Sequence, residues 1–181
     1  IRDITQQIKL QNRLKQLAYN DPLTGLYNRT YFMSHLKQLL QYHQQTPGSV
    51  VLMFLDLDQF KKINDNLGHK AGDELLCEVA HRLGKVTREL DLVGRWGGDE
   101  FVIILDALEQ TPALHLADKL REALSQATRL DNGEQVSVGA SVGIATSPGH
   151  GTTLHDLVIA ADQAMYKVKN QQKNAVAMAD I

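Results

Sequence analysis

Leu92-Val93-Gly94-Arg95-Trp96-Gly97-Gly98-Asp99-Glu100-Phe101-Val102-Ile103-Ile104-Leu105 reads as two strands, 92–96 and 101–105, joined across a glycine pair. A glycine pair between two apolar runs is a hairpin signal. Two carboxylates, Asp99 and Glu100, follow the turn directly. Upstream, the apolar run Val50 to Leu55 also ends in acid, at Asp56-Leu57-Asp58. Acids held at strand ends beside glycine are suited to gripping a divalent cation, because such ions take oxygen ligands and leave room for phosphates.

Working outward, the hairpin falls into a legible order. After strand 50–56, a loop with Gly68 and Gly72 leads into a helix carrying Leu75, Leu76, Val79, Ala80 and Leu83. Pro112 opens a helix after the hairpin, with Ala113, Leu116, Ala117, Leu120 and Leu124 on one side. Strand 136–144 alternates: Val136, Val138, Ala140, Val142 and Ile144 face one way, and Ser137, Gly139, Ser141 and Gly143 the other. Small residues on that second face predict an element packed close against it. A last helix from about Thr153 carries Leu154, Leu157, Val158, Ala161, Met165 and Val168. The core order β-α-β-β-α-β predicts an α+β fold, a ferredoxin-like antiparallel sheet with flanking helices. A right-handed crossover sets strand 92–96 parallel to strand 50–56. The hairpin tip then lies at the same end of the sheet as Asp56, so Asp56 and Asp99 converge although 43 positions apart.

Ahead of this core, residues 1–18 read as a helix with apolar positions Ile1, Ile4, Ile8, Leu10, Leu14 and Leu17, either a short coiled coil or an amphipathic linker. Asn20-Asp21-Pro22-Leu23-Thr24-Gly25 breaks it, and a helix with Phe32, Leu36, Leu39 and Leu40 on one face runs to Pro47-Gly48. We therefore divide the chain into a linker or signalling helix, 1–18, and one domain, 19–181.

Composition bounds the function. The chain has 181 residues with 43% apolar content, enough for one domain with a real core. A net charge of −2 gives no bulk attraction to a nucleic acid polymer or an anionic membrane. No stretch has the length of a membrane span or the form of a signal peptide, and the single cysteine, Cys77, rules out an internal disulfide. These features predict a cytoplasmic domain, compatible with a membrane anchor elsewhere in a longer protein. The start at Ile1 predicts a fragment of such a protein.

One carboxylate from each of two strands, Asp56 and Asp99, plus the carbonyl of Leu57, would hold a cation and leave positions for a triphosphate. Gln59-Phe60-Lys61-Lys62-Ile63-Asn64-Asp65 follows the first acids. Backbone N–H groups there can cradle phosphates, and Lys61 adds charge. Asn64 and Asp73 have the chemistry to read a guanine edge, and serve equally as a loop cap and a helix N-terminal acid. Lys169 and Lys173, one turn apart if the last helix continues, are either a solvated basic end or a phosphate clamp.

Together these stretches resemble the GGDEF family of diguanylate cyclases. The matching residues are Asp21-Pro22-Leu23-Thr24-Gly25-Leu26 with Asn28-Arg29, Asp56-Leu57-Asp58-Gln59-Phe60-Lys61 with Ile63-Asn64-Asp65, Gly68-His69 and Gly72-Asp73, Arg95 to Phe101, Ser141 to Ala145, and Ala161 to Tyr166. The resemblance implies a nucleotide-cyclase, palm-like fold and an activity in which two GTP molecules condense to cyclic di-GMP and two pyrophosphates. It implies magnesium, or manganese in its place, held by Asp56, Asp99 and the Leu57 carbonyl, with Asp99 at the position of a general base and Glu100 supporting the metals or the turn. By the same resemblance Asn64 and Asp73 bind guanine, and Phe60, Lys61, Lys169 and Lys173 belong to the substrate site. Gln172 and Lys173 depart from the family's usual glycine and arginine. Arg88-Glu89-Leu90-Asp91, with Arg88 nine positions before Gly97, matches the family's R-x-x-D inhibitory site for cyclic di-GMP. The family resemblance implies a homodimer for catalysis, each protomer holding one GTP; Arg2-Asp3-Ile4-Thr5 resembles the close of a PAS sensor domain, which implies an upstream sensor that controls the pairing. The alternative reading is a catalytically silent module that binds GTP or cyclic di-GMP.

Overall fold

The computed structural model describes residues 2–106 and 110–180. The Ile1 position of the apolar stripe lies outside them. In chain order the elements are α1 (Arg2–Tyr19), α2 (Arg29–Gln45), β1 (Val50–Leu57), α3 (Phe60–Leu67), α4 (His69–Val86), β2 (Leu92–Gly97) and β3 (Glu100–Asp106). Then follow α5 (Gln110–Ser125), β4 (Thr128–Arg129), β5 (Gln135–Val136), β6 (Ala140–Ser147), α6 (Leu154–Gln171) and β7 (Val176–Met178).

One five-stranded sheet has the order β2-β3-β1-β6-β7. Its first four strands pair antiparallel, and β7 joins β6 in parallel. β1, β2, β3 and β6 are thus the ferredoxin-like core. β2 runs in the direction of β1, and Asp56 lies opposite Glu100 in the β1–β3 register. The α+β architecture and the convergence of the hairpin tip with the end of β1 are as the element order predicts.

β1 is buried throughout, and its period of two divides it between two cores. Val51, Met53, Leu55 and Leu57 join Leu75, Leu76, Val79, Leu120 and Leu124 of α4 and α5. Val50, Leu52 and Phe54 join Phe32 and Leu36 of α2 and Leu157, Ala161 and Met165 of α6. The sheet is therefore sandwiched between helices. Asp56 continues the second set, so its side chain emerges on the α6 side.

Several elements differ from the sequence reading. The strand expected over 136–144 begins at Ala140 and runs on to Ser147. Val136 belongs instead to β5, in a two-strand ribbon with β4. The alternation carries through, but Gly139 leaves the ladder: its carbonyl accepts from Asp58 N at 2.8 Å. Gly72 is not in a loop; it lies inside α4, where a Cβ would overlap the Asn64 carboxamide. The last helix stops at Gln171, so Lys169 and Lys173 are not a helical pair. α1 forms as expected, with Ile4, Ile8, Leu10, Leu14 and Leu17 each more than half exposed.

Candidate active site

The site is built at one end of the sheet, where β1 leaves its ladder. Leu57 N donates to the Asp99 carbonyl at 3.2 Å, which ties the hairpin tip to the end of β1. Gly98 takes a left-handed φ of 48°, the geometry a tight turn asks of glycine. Arg95 braces that turn: Nε and Nη2 donate to the Gly98 carbonyl at 3.0 and 2.8 Å. Its Nη1 lies 3.2 Å from both carboxylate oxygens of Asp21. Asp21 also accepts from the Thr24 amide at 2.8 Å and the Thr24 hydroxyl at 2.7 Å. The loop after α1 is thereby pinned to the turn that carries Asp99.

Burial pulls the Asp21 carboxyl upward, but the Thr24 donors and Arg95 outweigh it and hold the group below its ordinary value. A depressed carboxyl stabilises the fold above the ordinary carboxylate range and loses that contribution as pH falls through its lowered value. Asp21→Asn is expected to cost about 1–2 kcal/mol at pH 7, since it removes a charge-assisted pair. In urea unfolding the gap to the parent should close as the pH drops below the carboxylate range; an equal gap at both pH values would refute this role for Asp21.

Asp56 is 7% exposed. Its carboxyl is pushed up to about 7: burial raises it most, the nearby Lys169 ammonium opposes, and Asp99 raises it further. Oδ1 is buried without an aligned hydrogen-bond donor. Lys169 Nζ nonetheless lies 2.7 Å from that oxygen, so the contact is an ion pair of poor directionality. Burial also raises Glu100, with Asp162 and Asp99 adding and Lys169 and Arg29 opposing. This is a pocket of mutually repelling carboxylates short of positive charge. A buried, poorly partnered carboxylate oxygen beside a second acid fits a divalent cation. Among the described residues no group of three His, Cys, Asp or Glu side chains is assembled for a metal. Two close carboxylates, Asp56 and Asp99, fit an ion whose remaining positions are filled by phosphate oxygens.

Asp58, two residues on, is neither a solvated strand end nor a free ligand. It is 8% exposed. It accepts from Ser141 Oγ at 2.6 Å and from Asn174 N at 2.7 Å, fastening β1 to β6 and to the turn before β7. Gln59 then takes a left-handed φ of 59° and turns the chain into α3.

The other expected site residues sit around this end. Lys61 is exposed on the first turn of α3. Asn64 lies over Gly72, whose missing side chain makes room for the carboxamide. Asp73 is exposed on α4 and lines a cleft of about 450 Å³ with Leu23, Lys70, Cys77 and Arg129. Phe60 differs in kind: it is 8% exposed and packs in the core beneath Gly72. Lys173 is exposed past the end of α6 with a left-handed φ of 53°, and Asn174 follows at 42°.

Arg88 and Asp91 lie elsewhere. Arg88 Nη2 reaches Asp91 Oδ1 at 2.8 Å and the Asp106 carbonyl at 3.3 Å. The Arg88 amide donates to Asp91 Oδ2 at 2.7 Å, and the adjacent Leu90 is 86% exposed. Asp106 pairs with Val50, at the opposite end of β1 from Asp56. Six residues of strand, about 20 Å, separate the two sites.

Sequence reasoning placed the acids but gave no role to Arg95, Asp21 or Ser141. All three stand in family-matching stretches, but nothing in those stretches names their partners: a serine on a small-residue face gives no hint of a buried carboxylate, nor an arginine of an acid 74 positions earlier.

Comparison with known proteins places this geometry. Residues 18–175 match the family model described as diguanylate cyclase, GGDEF domain. The chain belongs to that family. It is 42% identical over 170 residues to the bifunctional diguanylate cyclase/cyclic di-GMP phosphodiesterase MucR of Pseudomonas aeruginosa, covering 94% of this chain and 25% of the relative. It is 38% identical over 179 residues to the diguanylate cyclase TpbB of the same species, covering 97% of this chain and 41% of the relative. The chain thus spans a quarter to two fifths of these relatives. Among solved structures, the GGDEF-only form of TpbB superposes with a TM-score of 0.87 at 39% identity, covering 90% of this chain and 95% of that one. The coiled coil and GGDEF domain of DgcB from Caulobacter crescentus, in complex with c-di-GMP, gives 0.90 at 26% identity, covering 98% and 94%. No helix among the described residues is long and apolar enough to cross a membrane.

Proposed function

We propose that this chain condenses two GTP molecules into cyclic di-GMP. The observation that carries the reading is the meeting of Asp56 and Asp99 at one end of the sheet, with Lys169 beside them. Each protomer of a homodimer holds one GTP. The 3′-hydroxyl of each attacks the α-phosphorus of the other, two P–O bonds form, and two pyrophosphates leave. Asn64 and Asp73 orient the guanine through its edge. Lys61, Lys169 and Lys173 bind the phosphates and draw off the charge that builds on the leaving pyrophosphate. Asp99 lies at the hairpin tip, where it can accept or help remove the hydroxyl proton. Glu100 supports the metals or the turn. Asp56, Asp99 and the Leu57 carbonyl would hold magnesium or manganese, which supplies Lewis-acid polarisation of the phosphoryl group.

The reading extends to regulation. Residues 1–18 act as a signalling helix joined to a domain over 19–181, and the exposed apolar face of α1 brings two protomers together under an upstream sensor. Arg88 and Asp91 form the product-inhibition site. Arginine grips phosphate or a guanine edge bidentately, and the aspartate accepts from guanine.

The test is incubation with GTP and magnesium, with a strong coiled coil fused ahead of α1 to enforce pairing. Cyclic di-GMP is the expected product; nucleotide binding without turnover would make the chain a receptor instead. Arg88→Ala should raise the product concentration needed for half-inhibition at least about tenfold, the loss of a charge-assisted fork. Unchanged inhibition in that variant would remove Arg88 from the site.

A further inference from the structure

Asp56 Oδ1 is already engaged by one cation. It is buried, with no aligned donor, and its charged partner is Lys169 Nζ at 2.7 Å. A divalent ion bound to that oxygen would stand about 2.0–2.1 Å away. Ammonium and dication would then face each other across one atom, in a site where burial strengthens the repulsion. Lys169 has somewhere to go. Its side chain is 27% exposed, on a flexible stem rooted in α6 beside the buried Val168.

We propose that Lys169 and the divalent cation compete for Asp56 Oδ1, so that metal binding at Asp56 releases the ammonium to the triphosphate. This rests on the active-site reading above and deepens it. Without nucleotide, the metal must break an ion pair and leave Lys169 unpartnered. With nucleotide, the displaced ammonium meets phosphate oxygens. Metal and nucleotide therefore bind with a positive coupling beyond direct metal–phosphate contact, and linkage requires each to tighten the other by the same factor. Lys169 thereby acts as a gate on premature metal loading and as a phosphate ligand.

The experiment measures Mn²⁺ affinity without nucleotide, by electron paramagnetic resonance or calorimetry, on the 181-residue chain and its variants. Lys169→Met, which keeps the stem and removes the charge, should bind Mn²⁺ about 5–10-fold more tightly, the size of a typical coupling. Lys169→Gln serves as the second variant should Met disturb folding. Lys173→Met removes the same charge from beyond the same helix and should leave nucleotide-free Mn²⁺ affinity within about twofold, because competition is a contact effect. Equal or weaker Mn²⁺ binding in both Lys169 variants would overturn the competition. So would equal tightening in Lys173→Met, which would mean a diffuse field. Asp56→Asn separates this failure from that of the site itself: Mn²⁺ binding unchanged by that substitution would show that Asp56 is not a ligand and would overturn both.

Discussion

Gly143→Ala is expected to destabilise the protein by about 3 kcal/mol, a large share of what a domain holds. Gly143 lies in β6, where the strand runs under α6. A Cβ there would overlap the Ala161 carbonyl oxygen and the Met165 amide nitrogen. Both are backbone atoms inside a helix, so neither can rotate away as a side chain would. Relief requires α6 to lift off the sheet. That helix buries Leu157, Ala161, Ala164, Met165 and Val168, and lifting it opens the second core along its length. Overpacking typically costs about 1–3 kcal/mol, and a neighbour made of helix backbone puts this site at the upper end. Domains hold only about 5–15 kcal/mol in total. Lifting α6 would also withdraw Lys169 from Asp56, so surviving folded protein should be impaired at the site as well. Urea unfolding checks this: a midpoint close to that of the parent would show that α6 has room the close approach denies.

The same glycine shows what the sequence made legible. Ser141 and Gly143, small residues on one face of an alternating run, signalled a close neighbour, and that neighbour is α6. The meeting of Asp56 and Asp99 was likewise readable, because handedness and strand order leave little choice once a hairpin and a crossover are recognised. Side-chain partnerships were not. Nothing local says that Asp58 is consumed by Ser141 and Asn174, which are far away in the chain. The same holds for Arg95, which reaches back to Asp21. Lys169 was legible as a basic residue near a phosphate site, but its contact with Asp56 depends on how α6 docks. β7 escaped notice because three residues in parallel pairing carry neither a turn signal nor a long periodic run. The ribbon of β4 and β5, two residues each, escaped for the same reason.

If the chain acts as proposed, Asp56→Asn and Asp99→Asn should each reduce cyclic di-GMP formation by at least about a thousandfold, because each would remove a charged oxygen from the proposed cation site. Neither should cost the fold. Asp56 is a buried acid that its surroundings disfavour in the charged form, through burial first and then Asp99. An isosteric amide fills the same space without that charge. The Lys169 ammonium it leaves behind is partly exposed and can turn to water along its flexible stem. Asp99 sits in a hairpin tip held by backbone contacts, Leu57 N to the Asp99 carbonyl and Arg95 to the Gly98 carbonyl, and its side chain is not needed for either. Both variants should therefore unfold within about 1 kcal/mol of the parent, as expected for changes that remove no packing. The separation of the two readouts is the point of the measurement. Activity lost together with several kcal/mol of stability would make the acids structural pillars, and activity retained at a tenth of the parent rate would leave the paired carboxylates without the role their meeting implies.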